Sequence, residues 1–263
     1  MLRKLLKYDL KVTFKSVWIF YALTIFFAIL TRIFAEVNQT TLIVVLKGIA
    51  RGASISMMFS SVINNIFACW RRFLNHLYKD ESYLTHTLPV TKGTIYTSHL
   101  LNAIISIFVS IVVVVASVVI MLYSKENLEF VRPILEGVVL VYDSSIMEFL
   151  IIFALLVCSQ IIYIVQAGYT GLVLGHRAEN RKMGKSVLWG FVVYILAQWI
   201  MLGTMFVVGM NNQEIMSVFT ENAAVSANAF KIILYSVGGG YILFTAILAV
   251  VNRKFLKKGV NVE

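Results

Sequence analysis

Gly93–Ser124 reads GTIYTSHLLNAIISIFVSIVVVVASVVIMLYS and contains no Asp, Glu, Lys or Arg. An α-helix rises about 1.5 Å per residue, so about 20 such residues cross a hydrocarbon core roughly 30 Å thick. Lipid tolerates only helices or closed barrels, because nothing else satisfies the backbone there. The alternation of an outer-membrane strand is missing, so the stretch predicts a membrane-spanning helix. It is not alone. Phe149–Gly175, Ser186–Gln213 and Ile232–Asn252 are equally free of charged side chains. Two further runs are apolar but interrupted near one end by Arg32, Lys47 and Arg51. The pattern predicts six spans, roughly 18–35, 43–69, 94–123, 148–175, 186–210 and 232–252.

Composition agrees. The chain is 59% hydrophobic and 14% charged, against about 25% charged in a soluble domain, and its mean hydropathy is +0.84. Pro89 and Pro133, the two prolines, both fall between apolar runs. The expected fold is an all-α integral membrane protein forming one transmembrane domain over residues 1–263. Residues 124–147 and 211–231 carry most of the acids and are expected to form short surface helices. The basic start followed by an apolar run resembles a signal peptide, but Ile33-Phe34-Ala35-Glu36 lacks a small-residue cleavage pattern. It is read as a retained first span.

Before that span, residues 1–17 are amphipathic. Leu2, Leu5, Leu6, Leu10, Phe14 and Val17 share one helical face, and Lys4, Lys7, Lys11 and Lys15 share the other. Such a helix lies in the headgroup plane with its lysines towards anionic lipid. The other reading is an extension of the first span beyond the membrane.

Charge sets the orientation. The N-terminus, the 70–93 loop, the 176–185 loop and the tail together hold 17 Lys and Arg, and the opposite side holds 6. The positive-inside rule then places both termini in the cytoplasm. The net charge of +10 is a topology signal, and nucleic acid is not expected as a partner.

Catalytic chemistry is sparse. Met183-Gly184-Lys185-Ser186 resembles the end of a P-loop, but the first glycine of that pattern would stand at Glu179. No G-x-S-x-G elbow occurs. His76, His86, His99 and His176 lack metal-ligand spacing, and Cys69 and Cys158 read as small buried apolar residues. Neither a metal site nor an enzyme is expected. The unusual intramembrane groups are Lys47 and Arg51, four residues apart on one helical face, with Asn64 and Asn65 further along. Such groups are candidates for a substrate pathway. The cations are also read as snorkelling to the interface, and the amides as bonding a neighbouring helix. Gly48/Gly52 and Gly171/Gly175 have the spacing that permits close helix approach.

The most informative loop is Phe73-Leu74-Asn75-His76-Leu77-Tyr78-Lys79-Asp80-Glu81-Ser82-Tyr83-Leu84-Thr85-His86-Thr87-Leu88-Pro89-Val90. A segment that only joins two helices has no need of so many aromatic and large apolar side chains. It reads as a docking surface for a soluble partner or as a helix lying on the membrane.

Within it, residues 77–90 resemble the first cytoplasmic loop of ABC-2-type permease subunits of Gram-positive bacteria, approximately L-Y-x-D-E-G-Y-L-T-x-T-L-P-V, with Ser82 where glycine is usual. The tail Asn252–Glu263 also resembles the family's basic ending. The resemblance implies a type V exporter-like fold, with an N-terminal elbow helix over 1–17, six spans and a coupling helix within 70–93. It implies Tyr78, Asp80, Glu81, Tyr83, Leu84 and His86 as contacts with a separate soluble ATPase that binds ATP and Mg. Two ATPase copies would pair with two permeases, as a homodimer or with a paralogue, in a bacterial plasma membrane. Relatives of this size resemble exporters of amphipathic peptides such as phenol-soluble modulins, so a peptide-like cargo is expected. The rival reading is a membrane sensor or immunity protein that binds a peptide or lipid-like ligand without transport. An adjacent gene for a P-loop ATPase favours the exporter.

Overall fold

The computed structural model describes residues 1–37, 40–79, 81–87, 89–122, 129, 132–133, 135–138, 142–143, 145–210, 213–216 and 226–258; at residues 86, 213 and 214 it describes the backbone alone. The main elements are α1 (Leu2–Glu36), α2 (Thr41–Leu77), α3 (Ser82–Thr87), α4 (Lys92–Leu122), α5 (Ile146–Gly175), α6 (Lys182–Met210), α7 (Gln213–Met216) and α8 (Ala227–Lys257). Six of them (α1, α2, α4, α5, α6 and α8) are long and apolar enough to cross a membrane. No strand occurs among the described residues.

Two expectations are corrected. The elbow is not a separate element, because α1 runs unbroken through 1–17 into the first span. Nothing in Leu2–Glu36 breaks it: the stretch has no glycine or proline. The 70–93 segment is likewise not all loop, since α2 continues to Leu77 and leaves only 78–91 as connection. The short surface helices expected over 124–147 and 211–231 fall largely outside the described residues, apart from α7 and a few helical residues near 135–138.

The chain divides into two compact units. The first comprises Met1–Arg72 with Thr97–Ile134, the second Phe73–Tyr96 with Leu135–Glu263. In the first unit the packed faces are polar. The buried stripe of α1 is Asp9, Thr13, Val17, Tyr21, Thr24, Ala28 and Thr31, at the three- and four-residue spacing of one helix face. On α4 the matching stripe is Ser98, Asn102, Ser106 and Ser110. Outward faces carry Trp18, Phe26, Ile29, Phe108, Val112 and Val115. This inverts the soluble rule, for a physical reason. Lipid tails solvate Leu and Val as well as a protein core does, so helices associate through small side chains and hydrogen bonds instead.

The rungs between these stripes are specific. Asn102 Nδ2 donates to Thr13 Oγ1 at 3.0 Å. Asn65 Nδ2 donates to Ser110 Oγ at 2.6 Å and Tyr21 Oη at 3.3 Å. Thr24 Oγ1 donates to the Met57 carbonyl at 3.0 Å. At one end Arg72 Nε donates to Asp9 Oδ1 at 2.8 Å, Ser98 Oγ donates to Asp9 Oδ2 at 2.6 Å, and the Arg72 guanidinium lies 5.0 Å over the Tyr8 ring.

In the second unit α5 packs against both α6 and α8. Ser145 caps α5 by accepting from the Glu148 amide at 3.2 Å, and Ser226 caps α8 by accepting from Ala229 at 3.1 Å. The core is Tyr163, Ala167, Ala197, Met201 and Tyr241, with Tyr163 Oη donating to the Val193 carbonyl at 3.0 Å. The α5–α6 hairpin is closed at glycine. A Cβ on Gly175 would overlap the Ser186 backbone, and one on Gly171 would sit 2.6 Å from the Gly190 nitrogen. The close approach expected of Gly171/Gly175 is realised; Gly48 and Gly52 have nothing within 4 Å of a Cβ.

Candidate functional site: the α2–α4 connection

The connection between α2 and α4 is built on aromatic contacts within the second unit. Phe73, in the last turn of α2, stacks on Tyr169 at a centroid distance of 4.3 Å and meets Tyr96 edge-on at 6.4 Å. Tyr96 Oη accepts from the amides of Gln166 and, at 3.3 Å, Asn252; Asn252 Nδ2 also donates to Thr170 Oγ1 at 3.1 Å. The end of α2 and the start of α4 are thereby tied to α5 and α8.

Tyr78 comes next, and its ring stacks on His176 at 4.1 Å. His176 stands at the C-terminal end of α5, with Nδ1 2.9 Å from the Leu172 carbonyl and 3.2 Å from Ser186 Oγ. A carbonyl can only accept, so Nδ1 carries the hydrogen. Ser186 Oγ donates in turn to the Lys182 carbonyl at 2.9 Å. Tyr78 therefore rests on the α5–α6 turn at the point where Gly175 and Ser186 bring the two backbones together. Burial pushes the Tyr78 phenol well above its ordinary pKa, against the opposing pull of Arg177, and the ring stays neutral.

From this seat the chain turns into α3. The Ser82 amide donates to the Lys79 carbonyl at 2.7 Å, and the Thr85 amide and hydroxyl both donate to the Glu81 carbonyl. Six residues make fewer than two turns, too short to be stable alone, so the seat and these local bonds hold the element. Pro89 blocks continuation. Thr91 Oγ1 then accepts from the Thr94 amide at 3.2 Å, opening α4. Ser82 and Thr85, three apart, face inward at 2% and 3% exposure; Tyr83 and Leu84 face outward at 67% and 57%.

The six expected contact residues are thus separated by the structure. Tyr83 and Leu84 form one exposed apolar tip. Tyr78 is 2% exposed and is an internal anchor rather than a surface contact. Glu81 is half-buried and its carbonyl starts α3. Asp80 lies outside the described residues, and of His86 only the backbone is described.

The intramembrane candidates also separate. Asn65 is buried and spends its amide on Tyr21 and Ser110, within the first unit. Asn64 donates to the Ser60 carbonyl of its own helix at 2.8 Å. Lys47 is buried and Arg51 half-buried, both with contacts inside the chain. Cys69 is buried, with its thiol donating to Asn65 Oδ1 at 3.7 Å, and Cys158 is half-buried. Sequence reasoning did not single out Tyr169 or Asp9, nor His176 as a seat for Tyr78, and it placed Phe73 in the docking loop where the structure packs it on Tyr169 and Tyr96. The signal for Asp9 was available: a lone acid in a row of lysines, on the same face as Thr13 and Val17.

What the geometry offers is a firmly seated platform with an apolar tip, and among the described residues no nucleophile–base pair surrounds that tip. No protein family, curated protein or solved structure shares significant similarity with the chain.

Proposed function

We propose that the chain is the membrane-spanning subunit of an ATP-driven exporter of the ABC-2 kind, and that α3 docks in a groove of a separate soluble ATPase. The observation that carries this reading is the exposed Tyr83–Leu84 tip on a seat fixed by the Tyr78–His176 stack. An apolar tip on a rigid base suits a partner's pocket, because little ordering entropy remains to be lost on binding. The resemblance of 77–90 to the coupling loops of such permeases supports it. ATP and Mg would be bound by the partner, in two copies, and a second permease, identical or paralogous, would complete the pathway. The cargo is an amphipathic or antimicrobial peptide, moved through or out of the bilayer of a bacterial plasma membrane.

A photo-crosslinker on Leu84→Cys, with Cys69 and Cys158 changed to Ser, tests the docking in cells. The expected product joins this chain to a protein whose peptides contain a P-loop and which binds an ATP analogue. Crosslinks to lipid alone would assign α3 to the membrane surface.

Orientation follows the Lys/Arg asymmetry of 17 to 6, with both termini in the cytoplasm. A Lys258→Cys variant should be inert to an impermeant maleimide in intact cells and react once they are opened. Ready reaction in intact cells would reverse the topology, and with it the side on which α3 stands.

A further inference from the structure

The geometry points to an anionic phospholipid bound at the end of the second unit where the α5–α6 turn meets the end of α8. Arg177, Arg181 and Lys185 are exposed on the turn; Arg253, Lys254, Lys257 and Lys258 are exposed at the end of α8. These groups are more than 65 residues apart in sequence, and the two segments that carry them meet where the Arg177 guanidinium lies 4.7 Å over the Phe255 ring. Glu179 is the one acid in either segment as described. Among the described residues Arg181, Lys185, Lys254, Lys257 and Lys258 form no ion pair.

Intrachain electrostatics accounts for only half of this patch. Lys254 and Lys257 lie in the last turn of α8, where the helix dipole favours cations. Lys182 and Lys185 lie in the first turn of α6, which has no acid to offset them and whose dipole disfavours them. Arg181 holds φ at 53°, a left-handed conformation in which glycine or asparagine is usual. Cations are therefore kept at positions the fold alone would not give them.

The order of chemistry along α6 selects a lipid over a soluble anion. Directly beyond the cations come exposed Val187, Leu188, Trp189 and Phe191. A charged rim, then an indole at headgroup depth, then unbroken apolar surface is the order a phospholipid presents. Acyl chains would lie along that surface with the phosphate among Arg181, Lys185 and the α8 lysines. This does not depend on the exporter reading.

The test uses the full chain in nanodiscs of phosphatidylglycerol and phosphatidylcholine in equal parts, followed by detergent extraction and native mass spectrometry of retained lipid. A variant with Arg181, Lys185, Lys254 and Lys257 changed to Gln removes four exposed patch charges. A control with Lys4, Lys7, Lys11 and Lys15 changed to Gln removes four from α1. Circular dichroism and maleimide labelling at Lys258→Cys verify that each variant is folded and correctly inserted. Retained phosphatidylglycerol should fall roughly fivefold or more in the patch variant, as expected when several cations beside a membrane are lost, and stay unchanged in the control. No fall in the patch variant, or an equal fall in both, overturns the site and leaves the charges with a topological role only.

Discussion

Changing Arg72 to Ala is expected to destabilise the protein by about 3–5 kcal/mol, the usual consequence of removing one member of a buried ion pair. Arg72 and Asp9 are 2% and 0% exposed at their side chains, with Nε–Oδ1 at 2.8 Å. Without Arg72, the Asp9 carboxylate keeps the Ser98 hydroxyl at 2.6 Å and the His99 ring nitrogen at 3.8 Å but loses the guanidinium that donates to it in a low-dielectric setting. A change of both residues, Asp9→Leu with Arg72→Met, removes the Arg72–Asp9 pair as a whole. That double variant should recover most of the loss. Thermal unfolding in detergent of the two single variants and the double gives the coupling directly. Equal stability of Arg72→Ala and wild type would mean that the pair is solvated and holds nothing.

The same rungs explain why the first unit needs polar stripes at all. Tyr21, Asn65 and Ser110 join three helices through one hydroxyl–amide cluster. Each bond contributes modestly, about 0.6 kcal/mol on average between membrane helices. Several along one face fix rotation and register, which apolar packing in lipid would leave loose.

The number and nature of the spans were legible because a bilayer imposes length and apolarity directly on the chain. Gly93–Ser124 shows both, and α4 occupies Lys92–Leu122. Which face of each helix packs was harder to read. Leu5, Leu10, Phe14 and Val17 read as one apolar face laid into lipid, with the lysines opposite, which assigns no packing face to the N-terminal segment. In lipid the seam is Asp9, Thr13 and Val17. The serine and asparagine repeat at 98, 102, 106 and 110 displays this rule openly, four residues apart inside an apolar run. Helix ends were the other error. Residues 70–77 carry charge and aromatics, which read as loop, yet α2 continues because Phe73 finds Tyr169 and Tyr96 to pack against. The Tyr78–His176 stack joins residues almost a hundred positions apart, a pairing that no local pattern specifies.

The largest functional effect is expected from changing Tyr83 and Leu84 to Ala together. In a partner groove, large side chains of this kind contribute about 2 kcal/mol or more each. Loss of the pair should weaken ATPase binding by roughly two to three orders of magnitude. Folding should be unaffected, since both side chains stand in the open. Tyr78→Ala separates docking from coupling. It leaves the tip intact but removes the stack on His176, so the ATPase should still co-purify while ATP hydrolysis no longer responds to cargo. Tyr78→Phe keeps the ring and with it the stack, so coupling should be retained. The measurements are ATPase yield on the purified protein and cargo-stimulated hydrolysis in proteoliposomes. If the Tyr83, Leu84 double variant holds the ATPase at wild-type yield and cargo still stimulates it, α3 is a membrane-surface helix and the docking reading fails. If the double variant releases the ATPase but Tyr78→Ala couples normally, docking stands and motion enters the spans by another route than the α5–α6 turn.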